Sequence, residues 1–491
     1  VARRSRRALV VSAMAIIAAV AVFAPRSVWR RPVAGQPVGS DRVSLAILPL
    51  DNLSADPDNA YFSDGVLEDL LVALNRVPRL SVAPRTSSFR FRGRGMSLRA
   101  IAESLHVTHV VEGSVRRAGS TIRISARLVR VAPGVADATL WSDDFTREMK
   151  NVLSLQGELA SVIASRLLVS LLPADRATLD ARPAANAEAY DRYLKGRFYW
   201  NQRAAPALLK AVAFFREALA IDSSYARAYA GLADTYTMLP QTGGMRPLAA
   251  RPLATAAAQR ALLLDSSLAD AHVSVGLVHC FFGREYAAAH QEFQRALALD
   301  SSSSQAWLFD TWALVAMGEL DKALVSIKRA QQLDPLALVI NTRVGTVLAF
   351  SRRYTEAEAA LHRTLEINPD FPLARMELAR VLAMQDRPRE AIAALPATVA
   401  FAGGTPAATP GFVLAKSGRL DEARRELTRL EQTPSVSYDA LAVVHAALGD
   451  RDAAVRDLEQ SVLQRDISLL FLNVEPMFES LHGDPRFQRI V

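Results

Sequence analysis

The hydrophobic pattern of the C-terminal three-fifths of the chain repeats with a step of 34 residues. Pro335 and Pro369 keep this step and would end the second helix of a unit, because proline lacks an N–H and clashes with the preceding turn. Small residues such as Gly276 are expected to let the two helices of a unit approach closely. The pattern predicts stacked helical pairs that form an all-α superhelix. Alanine occupies one column at this step, at Ala289, Ala323, Ala357 and Ala391.

The predicted array occupies residues 189–470 and contains about seven units. Two stretches that contain Gly and Pro interrupt the pattern, at 240–253 and at 401–411. Residues 173–188 are predicted to form a linker before the array. Residues 471–491 are predicted to form a C-terminal cap that covers the last unit.

Residues 43–172 follow a different pattern, in which short apolar runs alternate with amphipathic segments. Thr121–Val131 alternates apolar and polar residues, which is typical of a sheet with one wet face. Ser63 or Asp64 is expected to cap the first helix and Ser97 the second. The order of elements predicts a small mixed α/β sheet with helices on a face. Strands are predicted at Val43–Leu50, Leu80–Ala83, Thr108–Val115, Thr121–Val131 and Leu140–Ser142, and helices at Asp58–Asn75, Leu98–Leu105 and Val152–Leu172.

The N-terminal pattern is an uncharged run, Ala8–Pro25, with arginines on both sides. Spanning a bilayer core of ~30 Å takes about 20 helical residues, and about 17 are tolerated. The run predicts a single transmembrane helix, with residues 1–7 as a basic cytoplasmic end and residues 26–42 as a linker. The bulk of the chain would then be periplasmic, anchored in the inner membrane. A cleaved signal with a soluble periplasmic product, a buried helix, and a cytoplasmic body are the alternatives.

Composition and charge reduce the set of possible ligands and sites. The net charge of +8 at first favours nucleic acid. Seven arginines fall within the first 35 residues, however, and without them 51 basic residues face 50 acidic ones. The body is therefore nearly neutral, and we predict no nucleic-acid binding by this chain. Cys280 is the one cysteine, which excludes an intramolecular disulfide and a cysteine-based metal cluster.

Two parts of the chain resemble known families. The 34-residue repeat resembles the tetratricopeptide repeat. The run SLAILPLDNLSADPDNAYFSDG, followed by APRTSSFRF, VVEGSVRR and LWSDDF, resembles the TolB amino-terminal-like domain over residues 43 to about 170. His106 departs from it, since glycine is usual there. The resemblance implies a non-catalytic extracytoplasmic module, which in bacteria commonly precedes such repeats in adenylate-cyclase-like, kinase-linked and winged-helix membrane regulators.

The first helix of each unit in a tetratricopeptide array lines a concave groove, and this resemblance implies the partner-binding residues. Their types are apolar and aromatic at the centre, with single charges toward the ends. Such a groove suits an extended or helical peptide with hydrophobic anchors. For Trp312 and Phe281, packing between helices is the alternative. The predicted residues are Arg227, Asp234, Leu277, Phe281, Leu308, Trp312, Thr346, Phe350, Met376 and Arg380.

A second candidate surface is an arginine cluster in the α/β region. No acidic residue interrupts it between Asp69 and Glu103. The cluster would contact an anionic partner, either phospholipid headgroups or an acidic protein face. The alternative is a solvated edge that arginine protects from edge-to-edge pairing. The candidate residues are Arg85, Arg90, Arg92 and Arg94.

Motifs that carry chemistry are missing from the sequence. It contains no phosphate-binding loop, no H-E-x-x-H helix and no G-x-S-x-G elbow. His272 and His279 lie two helical turns apart beside Cys280, and packing within the repeats explains them better than a ligand set. We therefore predict a protein that is not an enzyme, with no catalytic residue, no metal site and no cofactor.

These observations predict a membrane-anchored scaffold that binds a partner protein or peptide through the repeat groove. The alternative is the sensory or regulatory C-terminal part of a larger signalling protein, whose cyclase, kinase or winged-helix domain precedes Val1. The pattern makes no prediction about homo-oligomers.

Overall fold

A computed structural model describes residues 42–56, 59–131, 136–168, 179, 186–396, 404–433 and 436–491. The predicted basic end, transmembrane helix and most of both linkers lie outside these residues. Within the described ranges, no helix has both the length and the apolar character needed to cross a membrane. Residues Val43–Val491 form one compact unit.

The α/β domain is built on a six-stranded mixed sheet in the order β3-β1-β4-β5-β6, with the short β2 beside β4. β1 is parallel to both of its neighbours, and β4, β5 and β6 are antiparallel. The elements are β1 Val43–Ile47, β2 Asp51–Asn52, α1 Ala60–Asn75, β3 Leu80–Val82, α2 Arg85–Phe89, α3 Leu98–Leu105, β4 His109–Ala118, β5 Thr121–Arg130, β6 Ala138–Glu148 and α4 Val152–Leu167.

Helices cover both faces of this sheet rather than one. α1 and α4 pack on the face formed by Ile122, Ile124 and Leu128, and α3 packs on the other face against Val110 and Val129. The alternation predicted for β5 is confirmed, because its polar residues point away from the α1 side. At the β6 end the described residues cover only the α4 side, where Trp141 is buried.

Helix ends follow the predictions in one case and depart from them in another. Ser97 caps α3 as expected, accepting a hydrogen bond from the Ala100 amide. Ser63 and Asp64 do not cap α1, because the helix begins earlier, at Ala60, and buries both side chains. Tyr61 and Phe62 face the core, so the first turn is stabilised by burial instead of by a cap. His106 ends α3 with a left-handed backbone (φ 54°), which glycine adopts without strain.

The described repeat region contains eight helical pairs, one more than the predicted seven. The first pair begins at Ala187, close to the expected residue 189. The helices are α5 Ala187–Trp200, α6 Ala205–Ile221, α7 Ala226–Met238, α8 Pro247–Leu264, α9 Ala269–Val278, α10 Tyr286–Leu299, α11 Ser304–Ala316, α12 Leu320–Leu333, α13 Leu338–Phe350, α14 Tyr354–Ile367, α15 Pro372–Met384, α16 Pro388–Ala394, α17 Gly404–Lys416, α18 Leu420–Glu431, α19 Tyr438–Leu448 and α20 Arg451–Gln464.

Glycine in the first helix of a pair lets the second helix approach, as predicted. A Cβ on Gly276 of α9 would lie 2.6 Å from the Phe293 ring of α10. A Cβ on Gly345 of α13 would lie 2.6 Å from the Leu361 side chain of α14. Real Cβ atoms do not come this close, so these positions require glycine for the aromatic or aliphatic side chain to fill the pair.

Both predicted interruptions are shorter than expected. Within 240–253, helix α8 already begins at Pro247, where proline is tolerated in a first turn. Within 401–411, residues from Gly404 onward form helix α17. The sequence analysis placed Gly411 in an interruption of the array. A Cβ at this position would lie 2.8 Å from Val444, so the glycine lets two helices pack closely.

The C-terminal region consists of a crossing segment, residues 466–475, and a terminal cap, residues 476–491. The crossing segment contains a 3-10 helix, Ile467–Phe471, and packs against α11 and α17. The terminal cap holds a second 3-10 helix, Pro476–Leu481, on α19, and helix α21, Pro485–Ile490, on α20. Of the predicted cap, residues 476–491 therefore pack on the last pair, whereas Phe471 and Glu475 contact earlier pairs.

Candidate functional site

The predicted groove residues at the centre of the array lie together on the first helices of successive pairs. Trp312 is on α11, Phe350 on α13 and Arg380 on α15. The three side chains are nevertheless closed to solvent, with exposed fractions of 6%, 4% and 3%. These three side chains, which the sequence analysis assigned to the groove, are therefore covered by another part of the chain.

Phe471 of the crossing segment covers the two aromatic residues. Its ring centroid lies 5.0 Å from that of Trp312 at an interplanar angle of 74°, and 5.4 Å from that of Phe350 at 35°. Edge-to-face and tilted pairs at such distances are favourable beyond the area they bury. The inner face thus holds one aromatic side chain between two of its own.

A carboxylate follows the aromatic anchor. Arg380 Nη1 donates to both carboxylate oxygens of Glu475, at 2.8 and 3.0 Å, and Nη2 donates to Glu377. Burial raises the pKa of Glu475, and the positive charge of Arg380 offsets only part of that rise. Burial lowers the pKa of Arg380, but the two carboxylates outweigh it and hold the pKa above its ordinary value. The pair is a buried, charge-assisted contact.

Two further arginines complete the floor of the site. The Arg343 guanidinium lies 5.1 Å from the Trp312 ring centroid, and that of Arg380 lies 5.3 Å from the Phe350 centroid. Arg352 Nη1 lies 3.5 Å from the Val474 carbonyl oxygen. The central groove therefore combines aromatic faces with positive charge, which suits a ligand carrying an apolar ring and an acid.

The N-terminal part of the array is covered by the α/β domain. Arg227 Nη2 donates to Asp69 at 2.7 Å, and Arg197 pairs with Glu68. Tyr190 donates to the other oxygen of Asp69. Arg227, one of the predicted groove residues, is thus held by α1 of the α/β domain.

Asp234 is buried within the array itself. It accepts a hydrogen bond from Ser274 Oγ at 2.7 Å. Burial raises the pKa of Asp234 to about 7, despite that hydrogen bond and the nearby charges of Arg197 and Arg203. The group can therefore titrate near neutral pH.

The other predicted groove residues lie inside the array. They do not reach solvent as a free surface, because the first helices bury them against their neighbours or the crossing segment. Contact of the ten residues with a partner stays a prediction. Leu277, Phe281, Thr346 and Met376 are buried, and Leu308 is half-buried.

Three of the four arginines proposed for an anionic contact face acceptors of the chain. Arg85 lies near Asp64 and Glu68, at 3.8 and 3.7 Å, and Arg92 pairs with Asp64. Arg90 Nη2 donates to the Ile367 carbonyl of the array at 3.0 Å. Arg94 is exposed. The structure thus gives Arg85, Arg90 and Arg92 internal roles, and leaves Arg94 on the surface.

The α/β domain also touches the array near its middle. Ser87 in α2 donates to Asp334 at 2.5 Å, and the Leu336 amide donates to Ser87 Oγ at 3.3 Å. Burial raises the pKa of Asp334 to about 6, although the Ser87 and Thr86 hydroxyls lower it in part. This short contact joins residues almost 250 positions apart in the sequence.

Sequence reasoning missed the residues that occupy the groove. Phe471 and Glu475 fell in or beside the predicted cap, and Arg343 and Arg352 were not singled out. An aromatic residue with an acid four positions later, directly after the last repeat, was the available signal. It was weak because no period relates it to Trp312 or Arg380.

Two histidines of the array pair with carboxylates on neighbouring helices. His272 Nδ1 lies 2.7 Å from Glu292 in the same pair, and His290 Nδ1 lies 2.5 Å from Asp310 in the next pair. In the part of the chain that the structure describes, no three His, Cys, Asp or Glu side chains form a group that could hold a metal ion.

Similarity to proteins of known sequence is partial. Residues 351–408 match the family model described as Tetratricopeptide repeat. A curated relative, "Putative adenylate cyclase 3" of Rhizobium meliloti (strain 1021), is 34% identical over 189 residues. That match covers 38% of this chain and 32% of the relative, so the chain spans about a third of that protein's length.

Solved structures that are partly similar to this chain have low sequence identity to it. YrrB, titled a TPR protein with an unusual peptide-binding site, is 24% identical, with 38% of this chain and 90% of YrrB covered and a TM-score of 0.26. Yeast Tom70 is 16% identical, with 63% and 65% covered and a TM-score of 0.37. The family match places a tetratricopeptide repeat within the array of helical pairs.

Proposed function

We propose that this chain is a protein–protein interaction scaffold, which binds an extended segment of a partner protein along the inner face of its repeats. The observation that carries the proposal is the central groove, where Trp312, Phe350 and Arg380 hold an aromatic ring and a carboxylate from a short segment. A surface that receives one such segment has the shape and charge to receive another. Side-chain anchors that enter such a groove give the bound segment its affinity and specificity.

A crosslinking pull-down with the full chain tests this function. The groove variant combines Trp312→Leu with Phe350→Leu, which keeps apolar volume but removes the ring contacts. The matched control is Val325→Ala on α12, whose residue is 69% exposed. We expect partners that the control retains and the groove variant loses, with unchanged circular dichroism. Partners captured equally by all three chains would contradict the proposal.

A second candidate function is a regulatory region of a larger signalling protein. The match to a longer relative named as an adenylate cyclase favours it. In such a larger protein, binding of a partner to the array would regulate an effector domain. Genomic sequence upstream of the codon for Val1 tests the idea: an open frame for a cyclase, kinase or winged-helix domain would support it, and a start codon at Val1 would remove it.

We also propose that the α/β domain is a TolB amino-terminal-like module and that residues 8–25 anchor it in the inner membrane, with the repeats in the periplasm. The apolar run and the quoted motifs support this arrangement. A reporter active only in the periplasm, fused after Val491, is expected to give a signal. A silent fusion with a stable chain would place the repeats in the cytoplasm.

A further inference from the structure

The crossing segment lies along the inner face in the way that a bound peptide does. Arg465, just before it, donates from Nη1 to the Phe282 carbonyl in the third pair at 3.3 Å. Phe471 then contacts the fourth and fifth pairs, and Glu475 contacts Arg380 in the sixth. The segment thus passes successive repeats in order, from the third to the sixth.

The anchors of the segment define a ligand chemistry. An aromatic ring sits between Trp312 and Phe350, and a carboxylate four residues later meets Arg380. Between and before them, Leu469, Leu470 and Leu472 are buried, whereas Asn473 is exposed. A ligand of this groove therefore needs an aromatic residue, an acid four positions further on, and leucine-type residues around the aromatic one.

The segment has the energetics of an exchangeable occupant. Burying a charge pair recovers little net free energy, because desolvation of both ions offsets most of their attraction. Removing one partner alone leaves an unpaired buried charge, which is strongly unfavourable. A second carboxylate that replaces Glu475 on Arg380 avoids that cost, and a second ring between Trp312 and Phe350 restores the apolar contact.

The terminal cap has anchors of its own on the last pair, and one hydrogen bond, from the Met477 amide to Glu475 Oε1 at 3.3 Å, joins it to the crossing segment. Met477 and Phe478 are buried in the 3-10 helix that packs on α19. Arg486 Nη1 lies 2.8 Å from Asp452 of α20. The crossing segment can therefore leave the inner face while the residues after it stay on the last pair.

We propose that residues 466–475 are a built-in occupant of the repeat groove, and that the partner is a protein segment of the same chemistry, an aromatic residue followed four positions later by a carboxylate, which displaces them. This inference rests on the proposed scaffold function and specifies its ligand class. The free chain is on this account self-inhibited for partner binding.

The first test measures binding of a labelled peptide, DISLLFLNVE, to the full chain by fluorescence anisotropy. Its sequence is that of residues 466–475. Phe471→Ala combined with Glu475→Gln in the protein weakens the built-in occupant, and we expect it to bind the peptide about 10-fold more tightly than wild type does, as a tethered competitor has a high effective concentration. Glu479→Gln, the same change at an exposed position four residues on, is expected to behave as wild type.

The probe has its own control, a peptide in which phenylalanine and glutamate are replaced by alanine, which is expected not to bind. Equal peptide affinity in wild type and the double variant would overturn the inference. If the double variant does not fold, Glu475→Gln alone takes its place, because it keeps the shape of the segment. It is expected to give a smaller gain in peptide affinity. If neither folded variant binds the peptide, the inference is wrong.

Hydrogen exchange on the wild-type chain supplies a measurement that needs no variant. Excess peptide is expected to speed exchange of the amides of residues 467–474 and to leave those of α20 unchanged. Unchanged exchange at saturating peptide would overturn displacement. A wild-type chain that is dimeric by light scattering and becomes monomeric with the double variant would place the segment in a second copy and overturn the intramolecular assignment. Groove-dependent partners with no peptide binding would refute the ligand class but leave the scaffold function standing.

Discussion

The two halves of the array are covered by different parts of the same chain. In the N-terminal half, α1 of the α/β domain packs on α5, and the sheet, α1, α4 and the first two pairs share one apolar core. In the C-terminal half, a ten-residue segment covers the groove through one ring and one carboxylate. The first cover is part of a domain core and the second is a short segment. Under the proposed function, the repeat surface is therefore an internal interface at one end and the partner-binding site at the other.

The largest expected effect comes from breaking the buried charge contact of the C-terminal half. Arg380→Ala leaves Glu475 buried without its cation and Glu377 with only Arg343, whose Nη1 lies 3.5 Å away, so we expect a loss of ~3–5 kcal/mol in the free energy of unfolding. Urea unfolding followed by circular dichroism measures it. Arg380→Ala with Glu475→Gln should lose less than Arg380→Ala alone, because one unpaired charge is gone. A loss below ~1 kcal/mol for the single variant would mean that water reaches the pair.

In the N-terminal half, the buried Asp234 predicts that the free energy of unfolding depends on pH. Its pKa is raised to about 7 in the folded chain, so its contribution to stability is present at acidic pH and is lost as pH rises toward and through 7. Wild type should therefore lose up to about 4 kcal/mol between pH 4 and pH 8 from this group. Asp234→Asn should lack that part of the slope, as measured by urea unfolding across this range. Parallel pH curves for the two chains would show that Asp234 is ionised throughout.

Much of the array was predictable from sequence because its contacts are local and periodic. Gly276 faces Phe293 within one pair, and Gly345 faces Leu361 two pairs further on. The larger partners keep the 34-residue step, at Phe293, Ile327 and Leu361. The groove occupant was not predictable in this way. Phe471 meets Trp312 from 159 positions away, and neither residue belongs to a repeating relation between the crossing segment and the array. The helix predicted at Asp58–Asn75 begins at Ala60, but its cap was misassigned, because Ser63 lies inside the helix and is buried there.

A smaller effect is expected where the α/β domain touches the middle of the array. Ser87→Ala leaves the buried Asp334 carboxylate without that hydrogen bond, so we expect a loss of ~1–3 kcal/mol in the free energy of unfolding. Thermal unfolding at pH 8 measures it, with Ser104→Ala on the exposed face of α3 as the control. Loss of the Ser87 contact should also raise the pKa of Asp334, so the deficit should shrink below pH 6. A deficit that does not change with pH would argue against this account.

The smallest effect is expected at Arg94. Arg94→Gln on the exposed surface should change the free energy of unfolding by less than ~0.5 kcal/mol. Arg90→Gln, which removes the donor to the Ile367 carbonyl, should cost more. Binding to vesicles that contain anionic lipid, compared between the two variants, also tests the predicted anionic contact. If only Arg90→Gln weakened vesicle binding, the surface role assigned to Arg94 would be wrong.

The contacts of the crossing segment change how the array would respond to a stretching force. In repeat proteins each unit normally contacts only its neighbours, so the units can separate one after another when the chain is stretched. Here Arg465 ties the end of the eighth pair to the third, and Glu475 ties the segment to the sixth. A stretched chain would therefore resist until these cross-links break together, and then extend pair by pair. Release of these ten residues by a ligand would remove both cross-links and let the pairs separate one after another.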